Sequence, residues 1–263
     1  MRVKPHPAWI VPNLSAPGVR ALITTRPGGV SRGPWGAADD GGGMNLGLGS
    51  GDATDDVLAN RARLQASLPQ PPRWLKQVHG AAVVDAEQVS GEVAADASTS
   101  LTPGVVCAVL VADCLPVVIA SADGRGVAVA HAGWRGLAAG VIQNTVQALR
   151  RRLGDAHARL SAYLGPAIGP RHFEVGGEVL EAMRSTLPAA ARAFVELGGG
   201  KFRADLFELA RMALTQVGVH AIEGGGECTY SDPLRFYSYR RDGITGRHAA
   251  LVWIEPRPTD RRV

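Results

Sequence analysis

The sequence has few cysteines and no long apolar run. Its 263 residues include only three cysteines, Cys107, Cys114 and Cys228. This small, odd number argues against a disulfide framework and leaves at least one thiol free to act as a ligand or a nucleophile. No apolar stretch is long enough to span a bilayer, and residues 1–14 lack the apolar core of a signal peptide. We therefore expect a cytoplasmic protein with no membrane partner.

Positive charge is not concentrated in any part of the chain. The formal net charge is +4 at pH 7, and no block of lysine and arginine is long enough to predict a nucleic-acid-binding surface. A site for an anionic small substrate would explain a few surplus arginines as well as a nucleic-acid-binding surface would. With 46% hydrophobic and 20% charged residues, the composition is typical of a globular protein. We expect no nucleic-acid partner.

Apolar runs alternate with helical patterns along the chain. Continuous apolar runs predict buried strands, and apolar residues at helical spacing predict helices. The predicted strands are 74–84 (with a break at 79–80), 105–111, 116–120, 126–130, 161–164 and 249–254. The predicted helices are 55–68, 137–153, 178–187 and 206–217, and a glycine-rich loop is predicted at 32–51. Without an internal repeat or a clear linker, this pattern predicts one α/β domain over residues 1–263, with helices covering mixed sheets.

Residues that carry chemistry interrupt the apolar runs. Cys107 lies inside such a run and is interpreted as core packing, whereas Cys114 follows Asp113 at a forced break. His131 ends the next apolar run, and His79 stands at another strand break. Two histidines and one cysteine form a three-ligand zinc set with an open fourth position, which is the catalytic pattern. Because the spacing matches no local zinc motif, the residues alone leave two interpretations, a metal centre or a thiol hydrolase.

The segment that begins at His131 is suited to an anion. It has the sequence H-A-G-W-R-G and leads into a predicted helix, so Gly133 and Gly136 allow close backbone approach. Free N–H groups at the start of a helix attract anions, and Arg135 adds a planar, positively charged guanidinium group with several N–H donors. A surface ion pair is an equally good interpretation of Arg135. The segment predicts a phosphate or carboxylate site, with Arg135 as a candidate binding residue.

Several short motifs, taken in order, resemble a known family. They are M-N-L-G at 44–47, W-L-K-Q-V-H-G at 74–80, A-D-C-L-P-V at 112–117, H-A-G-W-R-G at 131–136, G-P-A-I-G-P at 165–170, F-E-V-G at 173–176, C-T at 228–229, S-Y-R-R-D-G at 238–243 and G-R at 246–247. The chain resembles the laccase-domain proteins, which were first labelled multicopper polyphenol oxidases. Members of this family are now described as purine nucleoside phosphorylases with adenosine deaminase side activity. A bacterial branch is described as a peptidoglycan editing factor.

The resemblance implies a fold and a site. The fold is a single domain with mixed sheets sandwiched between helices, in α/β/β/α layers. The site is a zinc ion bound by residues matching His79, Cys114 and His131, beside a pocket for a purine nucleoside. The further candidates for binding phosphate or ribose are Asn45, Arg61, Arg240 and Arg247. Phe173 and Glu174 are predicted to start a helix that shapes this pocket.

The resemblance also implies a reaction. Zinc would activate an oxyanion, and phosphate would attack C1′ of adenosine, inosine or guanosine to give the free base and ribose 1-phosphate. Arg135 or another arginine would orient the phosphate, since guanidinium groups pair with it in a bidentate way. With water attacking C6 of adenine instead, the same site would deaminate adenosine. Unless the break after the strand reorients it, Asp113 is expected to support the metal ligands from behind or to be structural, because neighbouring residues of a strand point to opposite faces.

Three other interpretations remain open. In the first, Cys114 is a thiolate nucleophile and His131 its base, in a hydrolase or amidase that edits peptidoglycan precursors. The second, a copper-dependent polyphenol oxidase, is disfavoured because a laccase needs many histidines and this chain has seven. Thiolate and imidazole nevertheless bind copper well, so copper can load in vitro and would then be misleading. The third is a metal-dependent binding protein without turnover.

Overall fold

The structure, a computed structural model, describes residues 2–37 and 41–257. Residues 38–40 of the predicted loop, and both ends of the predicted domain 1–263, lie outside the described residues. The strands are β1 Val19–Ile23, β2 Pro27–Ser31, β3 Pro72–Arg73, β4 Val83–Asp85, β5 Ala97–Ser100, β6 Val106–Val111, β7 Leu115–Ser121, β8 Val127–Ala132, β9 Leu160–Leu164, β10 Glu174–Gly176, β11 Phe194–Gly198, β12 Lys201–Ala204, β13 Ala221–Gly224 and β14 His248–Ile254. The helices are α1 Thr54–Gln65, α2 Trp134–Ala138, α3 Val141–Leu153, α4 Gly177–Arg184, α5 Leu206–Gln216 and α6 Tyr239–Asp242. Within the described ranges, no helix has both the length and the apolar character needed to cross a membrane.

Two mixed sheets form the centre of the fold. The four-stranded sheet has the order β1-β14-β6-β3, in which β3 pairs with β6 in parallel and the other neighbours are antiparallel. The six-stranded sheet has the order β13-β9-β7-β8-β5-β4. Its outer pairs, β13 with β9 and β4 with β5, are parallel, and its inner pairs are antiparallel. A smaller antiparallel sheet joins β10, β12 and β11.

The buried side chains occupy three layers. Between the two large sheets, Cys107 and Val109 of β6 meet Val118 of β7 and Val129 of β8. Helices α3 and α5 cover the outer face of the six-stranded sheet. Helix α1 covers the outer face of the four-stranded sheet, where Leu64 packs against the alternate residues of β6 and β14. Since β6 contributes to both layers with a period of two, it is buried on both faces, as its continuous apolar sequence predicts. The α/β/β/α arrangement is therefore confirmed.

Three predicted elements differ from the structure. The predicted helix 137–153 is two helices, α2 and α3, because Gly140 has a φ of +81° and interrupts it. The predicted strand 74–84 is wrong, since β4 begins only at Val83 and the N–H groups of residues 78–80 bind a side chain. Phe173 and Glu174 do not start a helix, because Glu174 begins β10 and pairs with β12.

Candidate metal centre

Cys114 lies where the chain crosses from one large sheet to the other, between β6 and β7. Asp113 in this crossing has a φ of +91°, in a region that few residues other than glycine adopt. Its carboxylate accepts hydrogen bonds from Oγ1 of Thr229 at 2.5 Å and from the backbone N–H of Arg240 at 2.7 Å. These bonds give Asp113 a structural role and fix the turn. The turn places Cys114 in the wall of a cleft.

His131 lies in β8, beside the start of β7. It pairs with Pro116, and only 3% of it is exposed. Its Nδ1 lies 2.8 Å from Oδ1 of Asp96, and its backbone N–H donates to the carbonyl oxygen of Asp96 at 2.7 Å. A carboxylate at Nδ1 favours the tautomer that carries its proton there, which leaves Nε2 as the free ligand atom.

The carboxylate of Asp96 also shapes the backbone around His79. The N–H of His79 donates to Oδ1 at 2.9 Å, and the N–H groups of Val78 and Gly80 donate to Oδ2 at 3.2 and 2.7 Å. His79 has a φ of +59°, and Asp96 is fully buried. Burial raises the pKa of Asp96, but the hydrogen bonds from His131 and Gly80 outweigh this effect and hold the pKa below its ordinary value. One carboxylate therefore positions both histidines.

The structure brings the three predicted ligands together. One ligand atom from each of His79, Cys114 and His131 lies within 4.8 Å of the other two. The two imidazole centroids are 4.8 Å apart, with the rings at 75°. Gly133 leaves room for this group, because a Cβ there would come within 2.9 Å of Sγ of Cys114. One thiolate and two imidazoles form a donor set that zinc and copper both accept. The residues present therefore fit a metal ion.

The thiol and imidazole of this group change each other's proton affinity. Burial raises the pKa of Cys114, but the charges and hydrogen bonds of His131 and His79 outweigh it and lower the pKa to about 6. Burial lowers the pKa of His131, but Cys114 and Asp96 outweigh it and raise the pKa to about 9. Cys114 is therefore a thiolate at neutral pH, and the thiolate is the form that binds metals and attacks electrophiles.

A cleft of about 800 Å³ opens over this group, and four arginines line it. Each guanidinium lies over an aromatic ring. The pairs and centroid distances are Arg61 on Trp74 at 4.4 Å, Arg135 on Trp134 at 4.4 Å, Arg240 on Phe173 at 5.4 Å and Arg247 on Tyr239 at 5.9 Å. Among the described residues, none of the four forms an ion pair with a carboxylate. Stacked guanidiniums without acidic partners keep N–H donors for an anionic ligand.

Asn45, the remaining predicted site residue, lies behind the wall of the cleft. It is fully buried, and its Oδ1 accepts from the backbone N–H groups of Gly47 at 3.0 Å and Arg247 at 2.9 Å. Its Nδ2 donates to Oγ of Ser50 at 2.7 Å and to the carboxylate of Asp52 at 2.9 Å. Because its side-chain donors and acceptor are all engaged, Asn45 supports the wall of the cleft and the backbone of Arg247.

Sequence reasoning does not identify Asp96, and among the aromatic rings beneath the arginines it identifies only Phe173, as a residue that shapes the pocket. Asp96 directly precedes the polar strand β5, and no spacing distinguishes it from the other acidic residues. For the rings a signal exists, since Trp74 and Trp134 belong to the same motifs as His79 and His131.

The sequence matches a known family over most of its length. A family model described as multi-copper polyphenol oxidoreductase laccase matches residues 20–255. The chain belongs to this family, which confirms the resemblance carried by the motifs. Among its curated relatives, a purine nucleoside phosphorylase of Pseudomonas aeruginosa is 49% identical over 94% of this chain and 99% of its own length. Purine nucleoside phosphorylase YfiH of Escherichia coli is 48% identical over 93% of this chain and 98% of its own length.

Solved structures share the fold. A Neisseria meningitidis protein superimposes with a TM-score of 0.87 and is 44% identical, covering 95% of this chain and 100% of that one. YlmD from Geobacillus stearothermophilus superimposes with a TM-score of 0.82 and is 33% identical, covering 91% of this chain and 93% of that one. These neighbours confirm the mixed α/β single-domain fold.

Proposed function

We propose that this protein is a zinc-dependent purine nucleoside phosphorylase. It converts adenosine, inosine or guanosine and phosphate to the free base and ribose 1-phosphate. The observation that carries the proposal is the group of His79, Cys114 and His131 in a cleft whose arginines lack acidic partners. The names of the relatives from P. aeruginosa and E. coli support the same activity.

Zinc is the proposed cofactor. His79, Cys114 and His131 would hold it with one position left open, as in catalytic zinc sites. When bound, zinc supplies a Lewis acid for negative charge on a substrate oxygen. Asp96 keeps Nε2 of His131 available and fixes the backbone of His79. Thiolate and imidazole ligands also suit copper, so the same donor set could hold copper in vitro.

The cleft's own residues bind and orient the two substrates. Arg61, Arg135, Arg240 and Arg247 supply donors for phosphate and ribose oxygens. A phosphate oxygen forms a bond to C1′ while the bond from C1′ to N9 breaks, and the departing purine takes up a proton. Holding the two reactants in one orientation lowers the barrier, because it removes the entropy cost of their encounter.

Adenosine deamination is the proposed side activity of this site. Water adds at C6 of adenine and ammonia leaves, which needs no phosphate. Zinc deaminases elsewhere pair the metal with a carboxylate that transfers protons. Asp113 is not assigned this role, since its two carboxylate oxygens accept from Thr229 and Arg240. The measurement is inosine formation from adenosine in phosphate-free buffer.

A thiol hydrolase or amidase that edits peptidoglycan precursors is the second candidate. It is favoured by the lowered pKa of Cys114 and by the hydrogen bond between Cys114 and His131. The thiolate would attack an amide carbonyl, the amine would leave with a proton from His131, and water would release the acid. An enzyme of this kind keeps its activity after chelation, whereas the phosphorylase loses it.

Copper-dependent phenol oxidation has less support. Two histidines and a cysteine do form the equatorial ligands of a blue-copper site. A laccase also needs a trinuclear copper cluster with many more histidines. In the part of the chain that the structure describes, His79, Cys114 and His131 form the one group of potential ligands.

The proposed setting is the cytoplasm, with the activity carried by one domain over residues 1–263. The three cysteines form no disulfide, and the proposed chemistry needs Cys114 as a free thiolate. The cytoplasm keeps thiols reduced, which supports this location.

Product analysis with inosine tests the proposal. Zinc-loaded protein is incubated with inosine, with and without phosphate, and the products are separated by chromatography, with adenosine as a parallel substrate. We expect hypoxanthine and ribose 1-phosphate only with phosphate, and neither product after chelation or in Cys114→Ala. Cys107→Ala is the matched control, because it removes a thiol from the core. No product from either nucleoside, in folded and zinc-loaded protein, would refute the proposal in favour of the hydrolase.

A further inference from the structure

Three further sequence motifs meet at Asp113, the residue before Cys114. From the motif C-T, Oγ1 of Thr229 donates to Oδ1 of Asp113 at 2.5 Å. From S-Y-R-R-D-G, the backbone N–H of Arg240 donates to Oδ2 at 2.7 Å. From G-P-A-I-G-P, the N–H of Ile168 donates to the carbonyl oxygen of Asp113 at 2.9 Å. Three separate parts of the chain therefore hold the residue next to a candidate metal ligand.

Asp113 needs these partners because its backbone is strained. Its φ of +91° lies in a region that a residue with a side chain keeps only where its surroundings hold it there. Asp113 is also only 8% exposed, so its carboxylate depends on Thr229 and Arg240 for hydrogen bonds in place of water. Cys114 is the next residue, and the direction in which its thiol leaves the backbone is set by this turn.

Thr229 is itself held in place by Arg241. Nη1 of Arg241 donates to the carbonyl oxygens of Thr229 and Tyr230 at 2.8 and 2.9 Å. Its Nε and Nη2 each donate to the carboxylate of Asp242 at 2.8 Å. Thr229 is fully buried, so its hydroxyl reaches Asp113 from a rigid support.

We propose that Thr229 is a positioning residue for Cys114. Asp96 supports the two histidines of the candidate metal centre, and Thr229, acting through Asp113, supports the thiol. Its hydroxyl holds the carboxylate of Asp113, and that carboxylate holds the turn that directs Cys114 into the cleft. Groups that orient the ligands of a metal contribute to its affinity without touching it. Thr229 is therefore expected to control how tightly the metal is held.

The same carboxylate joins the thiol to one wall of the cleft. Its bond to the backbone N–H of Arg240 fixes the first turn of α6, and α6 carries Tyr239 and Arg240 into the cleft. Losing the hydroxyl of Thr229 is therefore expected to loosen the thiol and this wall together. The role concerns the holding of the metal, so it rests on the metal centre of the proposed function and not on the reaction proposed there.

The zinc affinity of the full chain tests this role without turnover. Thr229→Val replaces the hydroxyl by a methyl group, and we expect zinc affinity, measured by competition with a chromophoric chelator, to fall about 10-fold or more. Thr229→Ser keeps the hydroxyl and should restore the affinity. Thr145→Val is the matched control, because Thr145 is also fully buried and its hydroxyl donates to the carbonyl oxygen of Val141 within α3 at 2.6 Å. This control should leave zinc affinity unchanged.

The spectrum of bound cobalt(II) separates positioning of the thiol from a general loss of fold. Cobalt(II) bound to a thiolate absorbs by charge transfer from sulfur, and the band depends on the geometry of that bond. We expect the band to change in Thr229→Val and to keep its wild-type form in Thr229→Ser and Thr145→Val. Thermal unfolding shows which variants fold. If Thr229→Val does not fold, Asp113→Gly takes its place, because glycine adopts the positive φ freely and only the hydrogen bonds of the carboxylate are lost.

The outcomes separate the positioning role from the proposed function. Wild-type zinc affinity and an unchanged cobalt spectrum in Thr229→Val, or in Asp113→Gly where it takes its place, overturn the role and leave the phosphorylase standing. Equal losses of affinity in Thr229→Val and Thr145→Val also overturn it, as does a wild type that binds neither metal. A wild type that binds zinc, loses affinity in Thr229→Val and forms no ribose 1-phosphate supports the role while refuting the phosphorylase.

Discussion

Cys107 lies in β6 and Cys114 lies just beyond the end of that strand, yet the pKa values of their two thiols are shifted in opposite directions. Burial raises the pKa of Cys107 to about 12, because apolar side chains surround it between the two sheets. Cys114 is partly buried in the wall of the cleft, and the imidazoles of His131 and His79 outweigh the effect of burial and lower its pKa to about 6. Burial alone gives an inert thiol, and burial with two imidazoles gives a thiolate. The reactive position is the crossing between the sheets, not their interior.

The same comparison can be made between two buried histidines, His248 and His131. Burial, together with the charges of nearby arginines such as Arg247, lowers the pKa of His248 in the interior strand β14 to about 3. His131 is almost equally buried, but Cys114 and Asp96 raise its pKa to about 9. The difference again comes from the partner: His248 accepts a hydrogen bond from the backbone N–H of Tyr237, whereas His131 faces an anion at each nitrogen. The strand-end site is therefore distinguished by its charged partners.

Removing each thiol in turn is the strongest test of this comparison. Cys114→Ala deletes a ligand, so we expect metal content and phosphorolysis to fall to background, with the fold retained. Cys107→Ala leaves a small cavity in the core, so we expect full metal content and a loss of about 1 kcal/mol in the free energy of unfolding. Elemental analysis, the inosine assay and urea unfolding measure the three quantities. Equal metal content in the two variants would remove Cys114 from the ligand set.

Alkylation of metal-free protein measures the difference between the two thiols directly. With a pKa of about 6, Cys114 is a thiolate at pH 7 and should react with iodoacetamide, while Cys107 should not react in the folded protein. The reaction needs the thiolate, so its rate should rise with pH and reach half its maximum near pH 6. Mass spectrometry of the peptides reports each site, and added zinc should protect Cys114. A half-maximum near pH 8.5, the ordinary value for cysteine, would contradict the influence of the histidines.

Asp96 and Glu87 each accept several hydrogen bonds, but only Asp96 lies at the candidate metal centre. Substituting each in turn therefore tests whether Asp96 positions the histidines. Asp96→Asn replaces an acceptor-only group by an amide that cannot accept all its present donors. We expect metal affinity to fall about 10- to 100-fold, as for other groups that orient metal ligands. Glu87 likewise accepts from Ser100 and Leu101, away from the cleft.

Glu87→Gln should therefore lower stability and leave metal affinity unchanged. Competition with a chromophoric chelator gives the affinities, and thermal unfolding gives the stabilities. If both variants lost metal affinity equally, the effect of Asp96 would be a general loss of fold rather than positioning of the histidines.

The layers, and the grouping of His79, Cys114 and His131, can be predicted from the sequence because their signals are local. The apolar run of β6 needs burial on both faces, and the break that follows it places Cys114 at a strand end. Asp96 cannot be predicted in this way, because its donors come from two segments that only the folded chain brings together. The segment 74–80 is misread for the same reason: its residues suit a strand, but the N–H groups near His79 bind Asp96 instead of a neighbouring strand. The side chain of Asn45 binds the backbone of Gly47 and Arg247, and its motif alone does not distinguish such a supporting residue from one that binds a ligand.

Unfolding at acid pH tests the comparison between His248 and His131. Of the predictions made here, this one has the smallest expected effect on function, because it concerns stability alone. Because the pKa of His248 is about 3 in the folded state and near 6.5 in the unfolded chain, the unfolded state takes up the proton first. This contribution to stability is present above about pH 6.5 and is lost as the pH falls toward 3, by at most about 1.4 kcal/mol per pH unit. His248→Gln removes the titration, so urea unfolding at pH 8, 6 and 5 should show a shallower decline than in the wild type. His157→Gln, at an exposed histidine, should keep the wild-type slope; equal slopes in all three proteins would mean that His248 does not control acid stability.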